Sequence, residues 1–144
     1  MIFRKATQED LDFVRENPYE GVLKNYPYLQ IPNENCIAII FQDKIVGVGG
    51  LSVIWEGVGW LWLMLTADCK KDGLFGIIAL SAIKDKIDEL LKDNNIKRAQ
   101  ATVRTDFPQA IKMIEFLGFK NETPDGMEAY CPDGAKSYLY SRIL

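Results

Sequence analysis

The sequence predicts a single α/β domain with a mixed sheet, in which an antiparallel meander leads into a β-α-β unit and a hairpin closes the chain. Three observations indicate this order. Apolar runs joined by short polar turns fill residues 36–66, helical spacing follows from about residue 75 to 91, and another apolar strand begins at Ala99. The 144 residues suit one domain, so we expect its boundaries at 1–144.

The chain begins with a short strand and a helix. Ile2–Lys5 has the pattern of a strand, and Thr7 is a good N-cap with Asp10 at the third helical position, which indicates a capping box. Asn17 precedes Pro18 and should end that helix, because the residue before a proline disfavours helical geometry. A second helix is predicted next, from the helical spacing of Tyr19, Val22, Leu23 and Tyr26.

Three strands joined by tight turns form the predicted meander. They cover Cys36–Phe41, Ile45–Trp55 and Trp60–Thr66, and polar turns lie at residues 42–44 and 56–57. The second strand contains three glycines, which predict a bend or bulge. The third strand is almost wholly apolar, so we expect it to be buried on both faces with its tryptophans in the core.

The pattern then changes to a helix followed by a strand. Residues from about Phe75 to Leu91 keep one apolar face and one charged face, and Asn94 and Asn95 should end this helix. Ala99–Val103 follows as a strand. A strand that follows a strand and a helix usually returns by a right-handed crossover, so it should lie parallel to the third meander strand.

A further helix and a hairpin complete the predicted order. Thr105 or Asp106 is expected to cap the helix, which Pro108 begins and Gly118 ends. The hairpin is then predicted from two strand patterns around a turn. Its arms are Met127–Tyr130 and Ser137–Ile143, and its turn is residues 132–134.

Composition excludes several kinds of function. The sequence has no histidine, so a Ser–His or Cys–His nucleophile system cannot be built from it. Its three cysteines form no CxxC pair, so we expect no zinc or other metal. A net charge of −3 without a basic stripe disfavours nucleic-acid binding.

Two further observations concern location. The apolar run at residues 58–65 is interrupted by Gly59 and is too short to span a bilayer, so no membrane partner is expected. The first residues have a strand pattern and lack the apolar core of a signal peptide. We therefore expect a cytoplasmic protein.

The segment from Leu65 to Gly76 joins a buried strand to a long helix. A helix N-terminus offers unpaired N–H groups and partial positive charge that suit a diphosphate, and Gly73 and Gly76 allow close backbone approach. Lys70 and Lys71 add positive charge. By itself such a segment is more often an ordinary loop than a ligand site.

The same segment resembles the acyl-CoA loop of the GNAT (GCN5-related N-acetyltransferase) superfamily, Val-x-Pro-x-x-Arg/Gln followed by a glycine-rich turn and a helix. Thr66 stands at the Val position, Asp68 at Pro, Lys71 at Arg/Gln and Gly76 at the final Gly/Ala, without a gap, while Leu74 replaces the first glycine of the short motif.

Two other parts of the chain resemble the superfamily. Residues 110–119 are similar to its second signature, although Phe107 stands at the Asn position and Ile114 at the Tyr position. The start, residues 3–10, also resembles GNAT N-termini. Finer details, among them Gly49-Gly50 and the sequence from Gly59 to Trp62, look like divergent GNAT-like proteins of bacteriophages, some of which are virion components.

The resemblance implies acetyl-CoA as co-substrate and direct attack of an amine on its thioester. It also implies that backbone groups of Met64–Thr66 hold the pantetheine arm and polarise the thioester. The residues expected to bind the co-substrate are Met64, Leu65, Thr66, Lys70, Lys71, Asp72, Gly73, Leu74, Phe75, Gly76 and Phe107.

Each candidate catalytic or acceptor-binding residue also has an explanation that involves no function. Glu56 is a candidate base, although it is also an ordinary turn residue. Tyr138 is a candidate acid, since Ile114 cannot donate a proton, although its alternation with Leu139 also fits an ordinary sheet face. Tyr19 and Tyr26 are candidate acceptor-binding residues, although packing explains them too.

Two functions therefore remain open. One is an N-acyltransferase for a small-molecule or protein amine. The other is a GNAT-fold protein without catalysis that serves as a binding or virion-associated module, which the residues at positions 74, 107 and 114 favour. The C-terminal hairpin of this fold often contributes to dimers, so a homodimer is expected as one form.

Overall fold

The computed structural model describes residues 1–26, 34–70 and 77–144. Two short 3-10 helices lie at Gly21–Asn25 and Ala67–Lys70. The longer elements, in chain order, are β1 (Ile2–Lys5), α1 (Gln8–Glu16), β2 (Cys36–Phe41), β3 (Lys44–Trp55), β4 (Val58–Leu65), α2 (Ile77–Asp93), β5 (Arg98–Arg104), α3 (Pro108–Phe116), β6 (Lys120–Asn121) and β7 (Ser137–Ile143).

The seven strands found in these ranges form one mixed sheet in the order β1-β2-β3-β4-β5-β7-β6. Neighbours are antiparallel from β1 to β3 and from β5 to β6, whereas β4 and β5 are parallel, as predicted. The mixed α/β fold class is thus confirmed. The chain divides into two compact units, and β3, β4 and α2 each contribute residues to both.

The first unit comprises residues 1–52 and 62–86. Helix α1 begins as the sequence predicts, because Thr7 Oγ1 accepts a hydrogen bond from the Asp10 backbone N–H at 3.3 Å, and the Asp10 carboxylate accepts one from the Thr7 N–H at 2.8 Å. Arg4 on β1 adds two bonds to this carboxylate, at 2.6 and 2.8 Å. The capping box therefore also joins α1 to the sheet.

The core of this unit lies between α1 and the strands. Half-buried side chains of Ile40, Ile45, Trp62 and Met64 pack around it. Trp62 therefore contacts the core but is not enclosed by it, so the expected full burial of β4 on both faces is not observed. The buried cluster itself consists of Ala6, Leu11, Val14, Cys36, Ala38 and Val48.

The glycines of β3 lie where β4 approaches most closely. A Cβ atom at Gly49 would lie 2.7 Å from the Trp62 carbonyl oxygen, and one at Gly47 would lie 3.0 Å from the Met64 oxygen. The register between β2 and β3 also shifts beside Gly47, where Val46 is an extra residue in β3. The predicted bulge is therefore confirmed.

The second unit comprises residues 53–61 and 87–144. Alternate residues of β5 are buried, and β7 pairs with β5 over its whole length, from Arg98–Ile143 to Arg104–Ser137. Helix α3 ends at Gly118, whose φ of +91° is the left-handed conformation expected of a helix-ending glycine. Its buried Ile114 and Leu117 complete the packing.

Three predictions about local structure are wrong. The segment from Tyr19 to Tyr26 contains only the 3-10 helix Gly21–Asn25, because Pro18 and Tyr19 pair with the end of β4 instead. The first arm of the C-terminal hairpin is β6, and Met127 makes only an isolated bridge to Ser137.

The third error concerns the start of α3. Its N-cap is Phe107, which makes no side-chain cap. Asp106 is unavailable for capping because both its oxygens accept hydrogen bonds from Arg104, which also binds both oxygens of Asp133 at 2.9 Å. An ion pair with Arg104, two residues away in the sequence, therefore replaces the cap.

Candidate functional site

The predicted co-substrate residues divide into those that the structure describes and those that it does not. Lys71, Asp72, Gly73, Leu74, Phe75 and Gly76 lie outside the described residues. Met64 and Leu65 end β4, Thr66 follows in an isolated bridge to Pro18, and Lys70 ends the 3-10 helix that comes next. The site can therefore be described at the end of β4 and in the turn after it.

A short segment of chain after α1 is bonded to the end of β4. We call Asn17–Tyr19 the strap. The Tyr19 N–H donates to the Leu65 oxygen at 2.9 Å, and the Ala67 N–H donates to the Asn17 oxygen at 3.0 Å. On the other side, the Thr66 N–H donates to the Val46 oxygen of β3 at 2.9 Å. The strap thus pairs with the edge of β4 that does not face β3.

These hydrogen bonds limit which backbone groups of Met64–Thr66 can bind a co-substrate. Backbone groups alternate in direction along a strand, so Met64 shares the direction of Thr66, toward β3, while Leu65 and Leu63 point the other way. The N–H of Thr66 is already used, as is the oxygen of Leu65. Sequence reasoning missed Leu63, which strand alternation alone could have indicated.

At the end of β4 in the first unit, the backbone of Leu63 faces away from β3, and the strap begins to pair at Leu65. The ladder with β5 lies in the second unit, consists of three pairs and ends at Trp60–Gln100. An unpaired strand edge presents N–H and C=O groups that bind an extended, amide-containing chain as an added strand would.

The turn after β4 is held by a buried thiol. Cys69 Sγ–H donates to the Val46 oxygen at 3.3 Å. Burial raises the pKa of the Cys69 thiol to about 11, and the neighbouring Thr66 opposes this shift only in part. The hydroxyl of Thr66, itself buried, makes no well-formed hydrogen bond among the described residues. Cys69 is therefore a structural group and a poor nucleophile.

The strap brings one predicted acceptor residue to this turn. Lys70 Nζ lies 4.6 Å from the centroid of the Tyr19 ring and 3.4 Å from Glu20 Oε1. Tyr26, the other predicted residue, is half-buried after the 3-10 helix. Sequence reasoning did not identify Glu20, because the contact depends on the strap and no spacing pattern reveals it.

The second unit contains the other predicted residues. Glu56 lies in the exposed turn before β4, so the whole length of that strand separates it in the chain from Met64–Thr66. Phe107 is the N-cap of α3 and is half-buried. Ile114 is 8% exposed, so the position that resembles the family's Tyr faces the core.

Tyr138 on β7 packs against a more deeply buried tyrosine. The rings of Tyr138 and Tyr140 are 6.2 Å apart in an edge-to-face arrangement. The Tyr140 hydroxyl donates to Glu115 Oε1 at 3.2 Å, and burial, with the nearby Glu115 carboxylate, raises the pKa of Tyr140. Tyr140 therefore holds its proton more firmly than an exposed tyrosine.

The described residues contain neither a membrane-spanning helix nor a metal-binding cluster. No helix in residues 1–26, 34–70 and 77–144 combines the length and apolar character that a bilayer crossing needs. Within the same residues, no group of three or more His, Cys, Asp or Glu side chains is placed to hold a metal ion.

No protein-family model and no curated protein sequence matches the chain. Solved structures do match. An Ard1 protein from Thermoplasma volcanium superposes with a TM-score of 0.75 at 19% identity, covering 99% of this chain and 97% of the other. A spermidine N-acetyltransferase mutant from Vibrio cholerae gives 0.75 at 13% identity, with 99% and 95% covered. A GNAT-family acetyltransferase from Streptococcus pneumoniae gives 0.69 at 17% identity, with 99% and 98% covered.

At sequence identities of 13–19%, the similarity to these structures shows the fold. The matches span almost the full length of both chains, and the strand order with one parallel pair agrees with the order inferred from the sequence. The chain therefore has the GNAT fold.

Proposed function

We propose that this protein is an acyl-CoA-dependent N-acyltransferase that transfers an acetyl group to a primary amine by direct attack. The observation that carries the proposal is the backbone of Leu63, which faces away from β3 beside the strap at the end of β4. A pantetheine arm contains two amides and is extended, so it can bind such an edge as an added strand.

The resemblance of the loop after β4 supports the same co-substrate. Acetyl-CoA would supply an activated acyl group, and Leu63 would offer the outward-facing backbone groups of β4. Lys71 would contribute positive charge toward the diphosphate, whereas the ammonium group of Lys70 contacts Tyr19 and Glu20. We propose no metal, because amine attack on a thioester requires positioning and polarisation of the carbonyl rather than a metal ion.

The acceptor is proposed to be a primary amine, on a small molecule or on a protein. Of the three matched proteins, one is named a spermidine N-acetyltransferase and another a GNAT-family acetyltransferase, and both names support an amine acceptor. Tyr19 and Tyr26 stay the proposed acceptor residues. Glu56 as base and Tyr138 as acid stay predictions, as do a homodimer and a cytoplasmic location.

The proposal is tested by ligand-linked stability. At a concentration about 100 times Kd, CoA or acetyl-CoA should raise the free energy of unfolding by about 2.7 kcal/mol. For a chain of this size that is roughly 3 °C in Tm for each kcal/mol. Gly76→Glu should abolish the shift, because the added carboxylate repels a diphosphate.

A matched variant separates this effect from that of added charge alone. Ile143→Glu introduces a carboxylate at the end of β7, where the side chain is 67% exposed, and should keep the shift. Release of free CoA thiol with a panel of primary amines then tests catalysis. A chain whose Tm does not move in millimolar CoA is not an acyl-CoA enzyme.

A second function has its own support. Buried Ile114 cannot protonate the leaving thiolate, and the strap already uses the Leu65 oxygen. These observations favour a GNAT-fold protein without catalysis, acting as a binding or virion-associated module in a host cytoplasm or virion. CoA binding without thiol release for any amine would favour this alternative.

A further inference from the structure

An ammonium group of the chain itself lies between an aromatic ring and a carboxylate at the end of β4. Lys70 Nζ is 4.6 Å from the Tyr19 ring centroid and 3.4 Å from Glu20 Oε1. An aromatic face combined with a carboxylate is the pairing by which proteins bind alkylammonium groups. The Tyr19–Glu20 pair is therefore an ammonium site that Lys70 occupies.

Backbone contacts fix both halves of this site. Tyr19 is held by its own N–H, which donates to the Leu65 oxygen at 2.9 Å. Lys70 follows Cys69, whose N–H donates to the Thr66 oxygen at 3.1 Å and whose thiol donates to Val46. Tyr19 and Lys70 are therefore both anchored near the end of β4, and their proximity follows from the fold.

The contact is open to water. The side chain of Lys70 is 46% exposed and that of Glu20 is 41% exposed. Ion pairs of this exposure are weak, because each charge is well solvated without its partner. The contact that an ammonium group from solution would have to replace is therefore a weak one.

We propose that Tyr19 and Glu20 bind one ammonium group of the acceptor, and that Lys70 holds this site until the acceptor displaces it. The inference rests on the proposed function and names the acceptor class as an aliphatic amine with at least two amino groups. An ammonium held by Glu20 has no lone pair for attack, so another nitrogen must react.

The reaction at that second nitrogen balances without a further reagent. The neutral amine forms a bond to the acyl carbon, and the bond from that carbon to sulfur breaks. The CoA thiolate leaves with the electron pair, and the proton lost by the nitrogen passes to it or to water.

Removing the ammonium group of Lys70 should strengthen acceptor binding. The apparent Kd equals the intrinsic Kd divided by the fraction of molecules whose site is vacant, so Lys70→Met should lower the Kd by about 2- to 10-fold. Lys70→Arg keeps a competing cation and should leave the Kd close to that of the natural chain. Glu20→Gln should weaken binding by about 5-fold or more.

The experiment is a calorimetric titration of the protein with diaminobutane in the absence of CoA. Butanediol, which is neutral and of similar shape, should show no binding. Lys24→Met, which removes another exposed lysine, controls for the loss of one positive charge. A Tm measured for each variant shows that the fold is intact.

Equal affinity in Lys70→Met, Lys24→Met and the natural chain would overturn the inference, as would unchanged affinity in Glu20→Gln. A parallel titration with CoA decides the proposed function separately. If CoA binds and the diamine affinities do not differ, only the acceptor site is wrong. If CoA does not bind, the acyltransferase proposal fails, whatever the diamine shows.

Discussion

At the scale of single residues, the close approach of β3 and β4 depends on glycine. A methyl group at position 49 would stand 2.7 Å from a backbone oxygen, that of Trp62, and 3.1 Å from Leu63 Cδ1. Backbone atoms in the middle of a sheet cannot yield as a flexible side chain can. The glycine is therefore required by packing and not by an unusual φ angle.

We expect Gly49→Ala to lower the free energy of unfolding by about 1–3 kcal/mol through overpacking. Gly21→Ala is the matched control, because a Cβ atom there would meet nothing within 4 Å. Urea unfolding of the two variants measures the difference. Equal midpoints would show that the two strands separate more easily than this geometry implies.

At the scale of elements, α1 is fixed by charge at its first turn. The Asp10 side chain is 5% exposed and bonded to Arg4. The Arg4 guanidinium lowers the pKa of Asp10 to about 2, and bonds from Thr7 act in the same direction against burial. The carboxylate therefore stabilises the fold in full above pH 4, and this contribution disappears as the pH falls toward 2.

We therefore expect Asp10→Asn to remove about 2 kcal/mol of the stability at pH 7, and its deficit to shrink between about pH 4 and pH 2. Glu122 also has a pKa of about 2, lowered by Arg98, so the difference between natural chain and variant is the informative quantity. Asp12→Asn, on the same helix but outside the ion pair, should show a small deficit. A deficit for Asp10→Asn that is constant with pH would contradict the assignment.

The elements also show why some structure could be predicted and some could not. The capping box of α1 and the end of α3 at Gly118 follow from neighbours in sequence, and both predictions are confirmed. The helix after Pro18 fails because the distant strand β4 bonds that segment. The cap at Asp106 fails because Arg104, which also binds the distant Asp133, takes both of its carboxylate oxygens. Strand β6 has two residues and no pattern to detect.

The candidate site, too, could be predicted only in part. Its place after a buried apolar strand could be predicted, because strand and loop patterns are local. The strap, the direction of each backbone group on β4 and the contact of Lys70 with Glu20 depend on tertiary pairing, which no spacing in the sequence encodes.

At the scale of the whole molecule, three elements contribute residues to both compact units, namely β3, β4 and α2. Unfolding one unit removes part of the other, so we expect a single cooperative transition. Trp62 reports on the first unit and Trp60 on the second. In variants that keep only one of these tryptophans, the melting midpoint measured by its fluorescence should be the same for both. It should also equal the midpoint measured by far-ultraviolet circular dichroism. Two separated midpoints would show independent units.

The strap has a consequence for how the protein behaves among its own copies. A strand that ends its pairing early exposes backbone groups to which other chains can add, and long exposed edges promote aggregation. Here the strap covers the edge of β4 from Leu65 onward. The end of the strand is therefore already paired within its own chain, which disfavours the addition of strands from other copies at this place.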